Sequence, residues 1–169
     1  MKYSSTIHTA VRASILGFLA LGLTSTSAFA TTQTATFVVS ATVQGSCTIS
    51  ATALSFGAYS GTALPGTSTI SINCTGGTTY NVGLNPGVAT GATVTTRKMT
   101  GQYLHGTLGY SLFSNSGMTT NWGQTVGVDT VAGTGTGVAQ PLTVYGQIPT
   151  GTAPAADGYF DTITATVTY

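Results

Sequence analysis

The chain is 169 residues long, 41% hydrophobic and only 4% charged, with four Lys or Arg, three Asp or Glu and two His. So few cations argue against nucleic acid as a partner, because that affinity comes from neutralised phosphates. The length suits one domain with its own core, and the wealth of Val, Ile, Tyr, Phe and Thr points to folded β-structure rather than disorder.

Residues 1–30 read as a signal peptide. Lys2 and Arg12 form a weakly basic start, Ile15 to Leu23 an apolar run, and SAFA at 27–30 ends in Ala-x-Ala, which predicts cleavage after Ala30. The apolar run is about half of the roughly 20 residues that a membrane-spanning helix needs. Behind the leader stand 139 residues (169 − 30), in which Arg97 and Lys98 face Asp129, Asp157 and Asp161 for a net charge of −1. A surface of Thr, Ser, Gly and Asn carries few charged gatekeepers, so exposed strand edges would pair with other chains and an exported chain of this kind needs an escort.

The next element is TATFVVSATVQGSC, Thr34 to Cys47. Ala35, Phe37, Val39, Ala41 and Val43 fall on one side, the pattern of a β-strand with one apolar face. Cys47 and Cys74 are the only cysteines, and in an oxidising compartment a single disulfide is the leading reading. A metal site would need neighbouring ligands, and the lone His105 of the mature chain does not supply a recognisable set. Closing a loop of 27 positions should stabilise the fold by roughly 3–4 kcal/mol on the chain-entropy estimate.

From Cys47 onward, short alternating runs are separated by Gly, Pro, Asn and Thr, which is the pattern of a β-sandwich. Candidate strands are Cys47 to Ala51, Thr69 to Cys74, Tyr80 to Leu84, Leu108 to Phe113, Leu142 to Ile148 and Tyr159 to Tyr169. A Gly- and Thr-rich tract between Asn115 and Pro141 reads as a long loop with room for one short strand. Six runs follow the first cysteine, whereas a simple immunoglobulin-like sandwich uses about seven. In the last run Ile163, Ala165, Val167 and Tyr169 share one face, and no later segment covers that strand's far edge, so an acceptor groove is expected there.

Ala35 to Val43 spans about 26 Å at roughly 3.3 Å per residue, as does Asp161 to Tyr169. The four steps from Val43 to Cys47 reach about 14 Å at most. In an immunoglobulin-like topology that is too short for the N-terminal strand to turn back into its own domain. The competing reading makes Thr34 to Val43 a long first strand that continues through Gly45 and pairs inside its own sheet.

Several motifs, taken in order, resemble the spore coat protein U domain family, the group containing the Csu-type pilins of archaic chaperone–usher systems. They are FVVSATVQGSCTI (37–49), LSFGAY (54–59), ISINCTGGTTYNVGL (70–84), LGYSLF (108–113), NWG (121–123), LTVYGQI (142–148) and GYFDTITATVTY (158–169). The tract PTGTAPAAD before Gly158 departs from the pattern in lacking a glutamine. The resemblance implies an all-β chain, an incomplete immunoglobulin-like β-sandwich of six strands that lacks its last strand. A periplasmic chaperone lends that strand, and the N-terminal extension of the neighbouring subunit later replaces it after passage through an outer-membrane usher. Carried over, residues 31–46 form the donor extension, with Ala35, Phe37, Val39, Ala41 and Val43 entering the groove. Residues 47–169 form the domain, Ile163, Ala165, Val167 and Tyr169 wall the acceptor groove, and Cys47 and Cys74 match the family's cysteine pair.

Catalytic chemistry finds no support. No G-x-S-x-G elbow is present, and Gly133, Gly135 and Gly137 do not complete a dinucleotide fingerprint. Trp122 could stack on a sugar, but a lone Trp beside Gly is more often packed under a loop. Arg97 and Lys98 read as a solvated pair, with a chaperone contact as the alternative. Tyr159 makes a corner hydrogen bond of the kind seen in sandwiches or fills the core. Asp157 and Asp161 are too few for a calcium site. The expected function is a non-enzymatic subunit of an exported surface fibre in adhesion or biofilm, with no cofactor, metal or small-molecule substrate. The alternatives are a spore-coat or surface-layer protein of the same fold, a small outer-membrane β-barrel, and a carbohydrate-binding tip. A barrel needs about eight strands of 9–11 residues, and most runs here are shorter.

Overall fold

The computed structural model describes residues 29–169 of the chain. The expected leader, apart from Phe29 and Ala30, lies outside the described residues. Ala41–Tyr169 forms one compact unit. Among the described residues there are nine strands: β1 (Cys47–Ala51), β2 (Leu64–Cys74), β3 (Thr79–Leu84), β4 (Arg97–Gly101), β5 (Thr107–Phe113), β6 (Val131–Thr134), β7 (Gln140–Ile148), β8 (Tyr159–Phe160) and β9 (Ala165–Thr168). They form a six-stranded sheet, β1-β2-β7-β5-β4-β8, and a three-stranded sheet, β6-β3-β9. The chain is an all-β immunoglobulin-like sandwich, and among the described residues its two sheets are not hydrogen-bonded into a ring.

Alternation explains most of the packing. On β2, Ile70, Ile72 and Cys74 are buried while Thr69 and Asn73 are exposed. Tyr80, Val82 and Leu84 of β3 face them, with Tyr110 and Leu112 of β5 and Val144 and Ile148 of β7 completing the core. Burial of each such side chain contributes roughly 1.5–3 kcal/mol. β2 begins at Leu64, five residues ahead of the expected Thr69, and passes through Pro65. Proline is tolerated there because β1 pairs only with Ile70 to Cys74, which leaves β7 as the sole neighbour at Pro65.

Two differences from the expected strand list have physical causes. β4, RKMTG, shows no apolar alternation because its inward position is filled by Arg97, which is only 1% exposed. The last run is not one strand. β8 pairs with β4 in the larger sheet, residues 161–164 carry the chain across, and β9 pairs with β3 in the smaller one. The Gly- and Thr-rich tract does hold a short strand, β6, paired with β3.

Cys47 and Cys74 are bonded and lie directly opposite each other across the β1–β2 ladder. The bond ties the edge strand β1 to its inner neighbour β2. Replacing both cysteines by serine is expected to lower stability by roughly 3–4 kcal/mol, read as a urea midpoint shift with unchanged slope; a shift of only a few tenths of a kcal/mol would contradict it.

A cleft beside an open strand edge

Among the described residues, β9 is hydrogen-bonded to one strand only, β3. The Asn85 N–H donates to the Thr164 carbonyl at 3.1 Å, and residues 81–84 pair in register with 168–165. In an antiparallel ladder, hydrogen-bonded and non-bonded positions alternate. Thr164, Thr166 and Thr168 therefore turn their backbone groups toward β3. Ile163, Ala165 and Val167 turn theirs outward, to an edge that no strand pairs with among the described residues, although β1 lies close to β9. The side chains of Ile163, Ala165 and Val167 point inward and pack against the core.

Beside this edge opens a cleft of about 940 Å³, floored by Ile70, Leu84, Tyr110, Leu112, Val144 and Ile148. One wall is the stretch from Ala153 to Ile163 together with Ala165. The opposite wall is Thr52–Tyr59, an extended segment outside the strands. That segment is anchored at both ends: Ser68 Oγ donates to the Thr52 carbonyl at 2.5 Å and Tyr59 Oη to the Pro149 carbonyl at 2.7 Å. Its apolar side chains, Leu54 and Phe56, rest on Gly66 and Gly146, which face each other across the β2–β7 ladder. A Cβ on Gly146 would come within 2.9 Å of both side chains. The two glycines thus keep Leu54 and Phe56 low and the cleft deep.

The expected donor residues Ala35, Phe37, Val39, Ala41 and Val43 are all exposed and belong to no strand. Phe37 is 86% exposed and Val39 and Val43 each 82%, an unusual state for apolar side chains at strand spacing. Of the expected acceptor residues, Ile163 and Ala165 line the cleft and Val167 lies opposite Val82 on β3. Tyr169 lies one residue past the end of β9, is 61% exposed and does not line the cleft. Thr52–Tyr59 was not anticipated as a wall, although Leu54 and Phe56 alternate in LSFGAY.

Arg97 is not a solvated cation. Its Nε donates to the Asn85 carbonyl at 3.0 Å, Nη1 to Val94 at 2.7 Å, and Nη2 to Leu84 and Trp122 at 2.9 and 2.8 Å. Burial pulls its pKa below the ordinary value, while Tyr110, Asp129 and Asp161 act in the opposite direction. Trp122 is 1% exposed and donates Nε1–H to the Val82 carbonyl at 2.8 Å, so it is a core residue and not a sugar platform. Burial, with donation to Asp161, pushes the Tyr110 hydroxyl well above the usual phenol range. Tyr159 Oη donates to the carbonyl of Ala155, four residues upstream, at 2.8 Å. His105 sits in the β4–β5 turn with φ 55°. Among the described residues no three His, Cys, Asp or Glu side chains converge as metal ligands.

Asp157 accepts the N–H groups of Leu104, Tyr103 and Gly158 at 2.8–2.9 Å. The bond from Leu104, then those from Tyr103 and Gly158, hold its carboxyl below the ordinary value of 3.8. A depressed folded-state pKa contributes stability above the unfolded pKa, and that contribution fades as pH falls through the folded value. Melting temperature is expected to drop below about pH 4, and Asp157→Asn should flatten that segment of the profile. An identical acid slope in the mutant would contradict this.

Comparison with known proteins gives three findings. The family model for the Spore Coat Protein U domain matches residues 33–166. Protein U of Myxococcus xanthus is 32% identical over 156 residues, covering 83% of this chain and 87% of that protein. A chain of the crystal structure of the CsuC–CsuE chaperone–tip adhesion subunit pre-assembly complex, from the archaic chaperone–usher Csu pili of Acinetobacter baumannii, superposes with TM-score 0.56 and 28% identity. That superposition covers 76% of this chain but 41% of the other.

Proposed function

The chain belongs to the Spore Coat Protein U domain family, and on that premise we propose that it is a structural, non-enzymatic subunit of an exported surface fibre assembled by a chaperone–usher system through donor-strand complementation. The observation that carries the reading is the open edge of β9 beside an apolar cleft. An added strand would hydrogen-bond to Ile163, Ala165 and Val167 and drop alternate side chains onto Tyr110, Leu112 and Val144. That is β-augmentation, in which backbone bonds give affinity and side chains set register.

Residues 1–30 serve as the export signal, 31–46 as the donor and 47–169 as the acceptor domain. Burying Phe37, Val39 and Val43 contributes about 5–9 kcal/mol before ordering costs. Donation runs between subunits. Ser46 exchanges hydrogen bonds with Thr75 and Gly45 abuts Thr78, so the chain between Val43 and Cys47 has little freedom and reaches about 14 Å at most. Head-to-tail donation is heterologous and does not close, so it builds a filament. The partners are a periplasmic chaperone, an outer-membrane usher and neighbouring subunits, and the fibre serves adhesion or biofilm.

The description of the matching family, a Spore Coat Protein U domain, favours a second setting for the same mechanism, a spore-coat or surface layer knitted by strand donation. Electron microscopy of material sheared from cells separates the two, showing thin fibres or a continuous coat. In either case the sheared protein should run as a ladder of multimers that collapses on boiling. A mature chain that is a stable monomer without companions, its stability unchanged by removal of residues 31–46, would overturn both.

A further inference from the structure

The acceptor edge is held by two different means. From Ala165 to Thr168 the β3 ladder fixes it. Upstream, Thr164 is tied to Asn85, its carbonyl accepting from Asn85 N–H at 3.1 Å and its N–H donating to Asn85 Oδ1 at 2.9 Å. Asp161, Thr162 and Ile163 have no ladder at all, yet all three line the cleft. Beyond the packing of Ile163 against the core, the hydrogen bonds that hold them come from one carboxylate. Asp161 Oδ2 accepts from Tyr110 Oη at 2.6 Å, and Oδ1 accepts from the N–H groups of Val88 and Thr162, each at 2.8 Å. These bonds join β5 of the larger sheet, the loop after β3 of the smaller one, and the stretch that crosses between them. Any side chain at position 87 would collide with that carboxylate, and Gly87 stands there with φ +90°.

We propose that Asp161 is a positioning residue for strand acceptance: it fixes the β8-to-β9 crossover, so that the edge at Ile163 stands formed before a donor strand arrives. The assignment rests on the donor-strand reading above. When only a fraction of molecules has the competent edge, apparent affinity falls in proportion to that fraction. Without the latch, an incoming strand must order residues 161–163 as it docks. Once it has docked, its own ladder holds them, so association slows while dissociation does not change. The other two carboxylates lack this reach. Asp157 gathers N–H groups at the β4–β5 turn, and Asp129 accepts from Thr125 within its own loop.

The test uses the full mature chain carrying Phe37→Asp, which leaves its own extension unable to donate, and a fluorescent synthetic peptide of residues 31–46 followed by stopped flow. Asp161→Ala is expected to slow association about tenfold, with dissociation within about twofold. Asp161→Asn keeps an acceptor oxygen for Val88 and Thr162 and should restore association to within about threefold. Tyr110→Phe removes one of the three bonds and should slow association about threefold. Asp129→Ala loosens a loop away from the cleft, so it should lower stability without changing the association rate. Equal slowing by Asp129→Ala, or unchanged association in both Asp161→Ala and Tyr110→Phe, overturns the assignment. If Asp161→Ala does not fold, unchanged association in Tyr110→Phe alone overturns it. Failure of the peptide to bind the parent chain overturns the donor-strand reading and the assignment together, whereas normal binding with unchanged association in the variants removes the assignment alone.

Discussion

Arg97→Met is expected to lower the stability of the mature chain by about 3–5 kcal/mol. The guanidinium is 1% exposed and bonds to four carbonyls, those of Leu84, Asn85, Val94 and Trp122. Methionine fills much of the volume but donates nothing, and each buried acceptor left without a partner costs about 1–3 kcal/mol. Against a total stability of roughly 5–15 kcal/mol, the loss should move the urea midpoint by about 2 M at slopes of 1–3 kcal/mol/M. Arg97→Lys keeps the charge, yet an ammonium lacks the planar fork that reaches carbonyls on both sides, so about half of the loss should remain. A midpoint within a few tenths of a molar of the parent in Arg97→Met would show that water can replace the guanidinium.

The effect should reach the acceptor edge. Arg97 Nε holds the Asn85 carbonyl, and Asn85 in turn holds Thr164 just before β9. Trp122, which gives its carbonyl to Arg97 and its indole N–H to Val82, braces the centre of β3. One cation therefore organises the end of β3, the loop carrying Trp122 and the strand beside the cleft.

That arrangement explains where the sequence was readable and where it was not. Runs such as ISINC and LTVYGQI bury one face and wet the other, so period two alone identifies β2 and β7. Exposed apolar alternation in Ala35 to Val43 was equally plain, and so was the apolar face of the last run. β4 was hidden because its inward residue is an arginine, and a buried cation satisfied by backbone carbonyls has no signature in hydrophobic patterning. The break within GYFDTITATVTY was hidden for another reason. Alternation says which face a residue takes but not which sheet it joins, and Asp161 marks the crossing only through partners 51 and 73 residues away in the chain. Leu54 and Phe56 form a wall because two glycines distant in sequence, Gly66 and Gly146, lie opposite each other beneath them. Such coincidences belong to the folded chain.

Phe37→Asp is expected to abolish fibre formation while leaving the chaperone-bound subunit as stable as the parent in the same complex. Phe37 is 86% exposed in the chain itself, so its removal takes no contact from its own core, and the melting temperature of the chaperone-bound subunit should hold within about a degree. In a neighbour's cleft the same position would lie among Tyr110, Leu112 and Val144. There the substitution forfeits roughly 1.5–3 kcal/mol of burial and sets a carboxyl where no cation can reach it, because the one nearby, Arg97, is committed to four carbonyls. A buried polar group without a partner adds about 1–3 kcal/mol more by mutational measures, so donor affinity should fall at least a hundredfold. Chaperone binding should persist, since a lent strand fills the cleft without using Phe37. Val38→Asp is the internal control: on a two-residue period Val38 faces away from the cleft, and its fibres should form nearly normally. Normal fibres from Phe37→Asp would remove Phe37 as the anchor, and equal loss from Val38→Asp would show that the donor does not enter as an alternating strand.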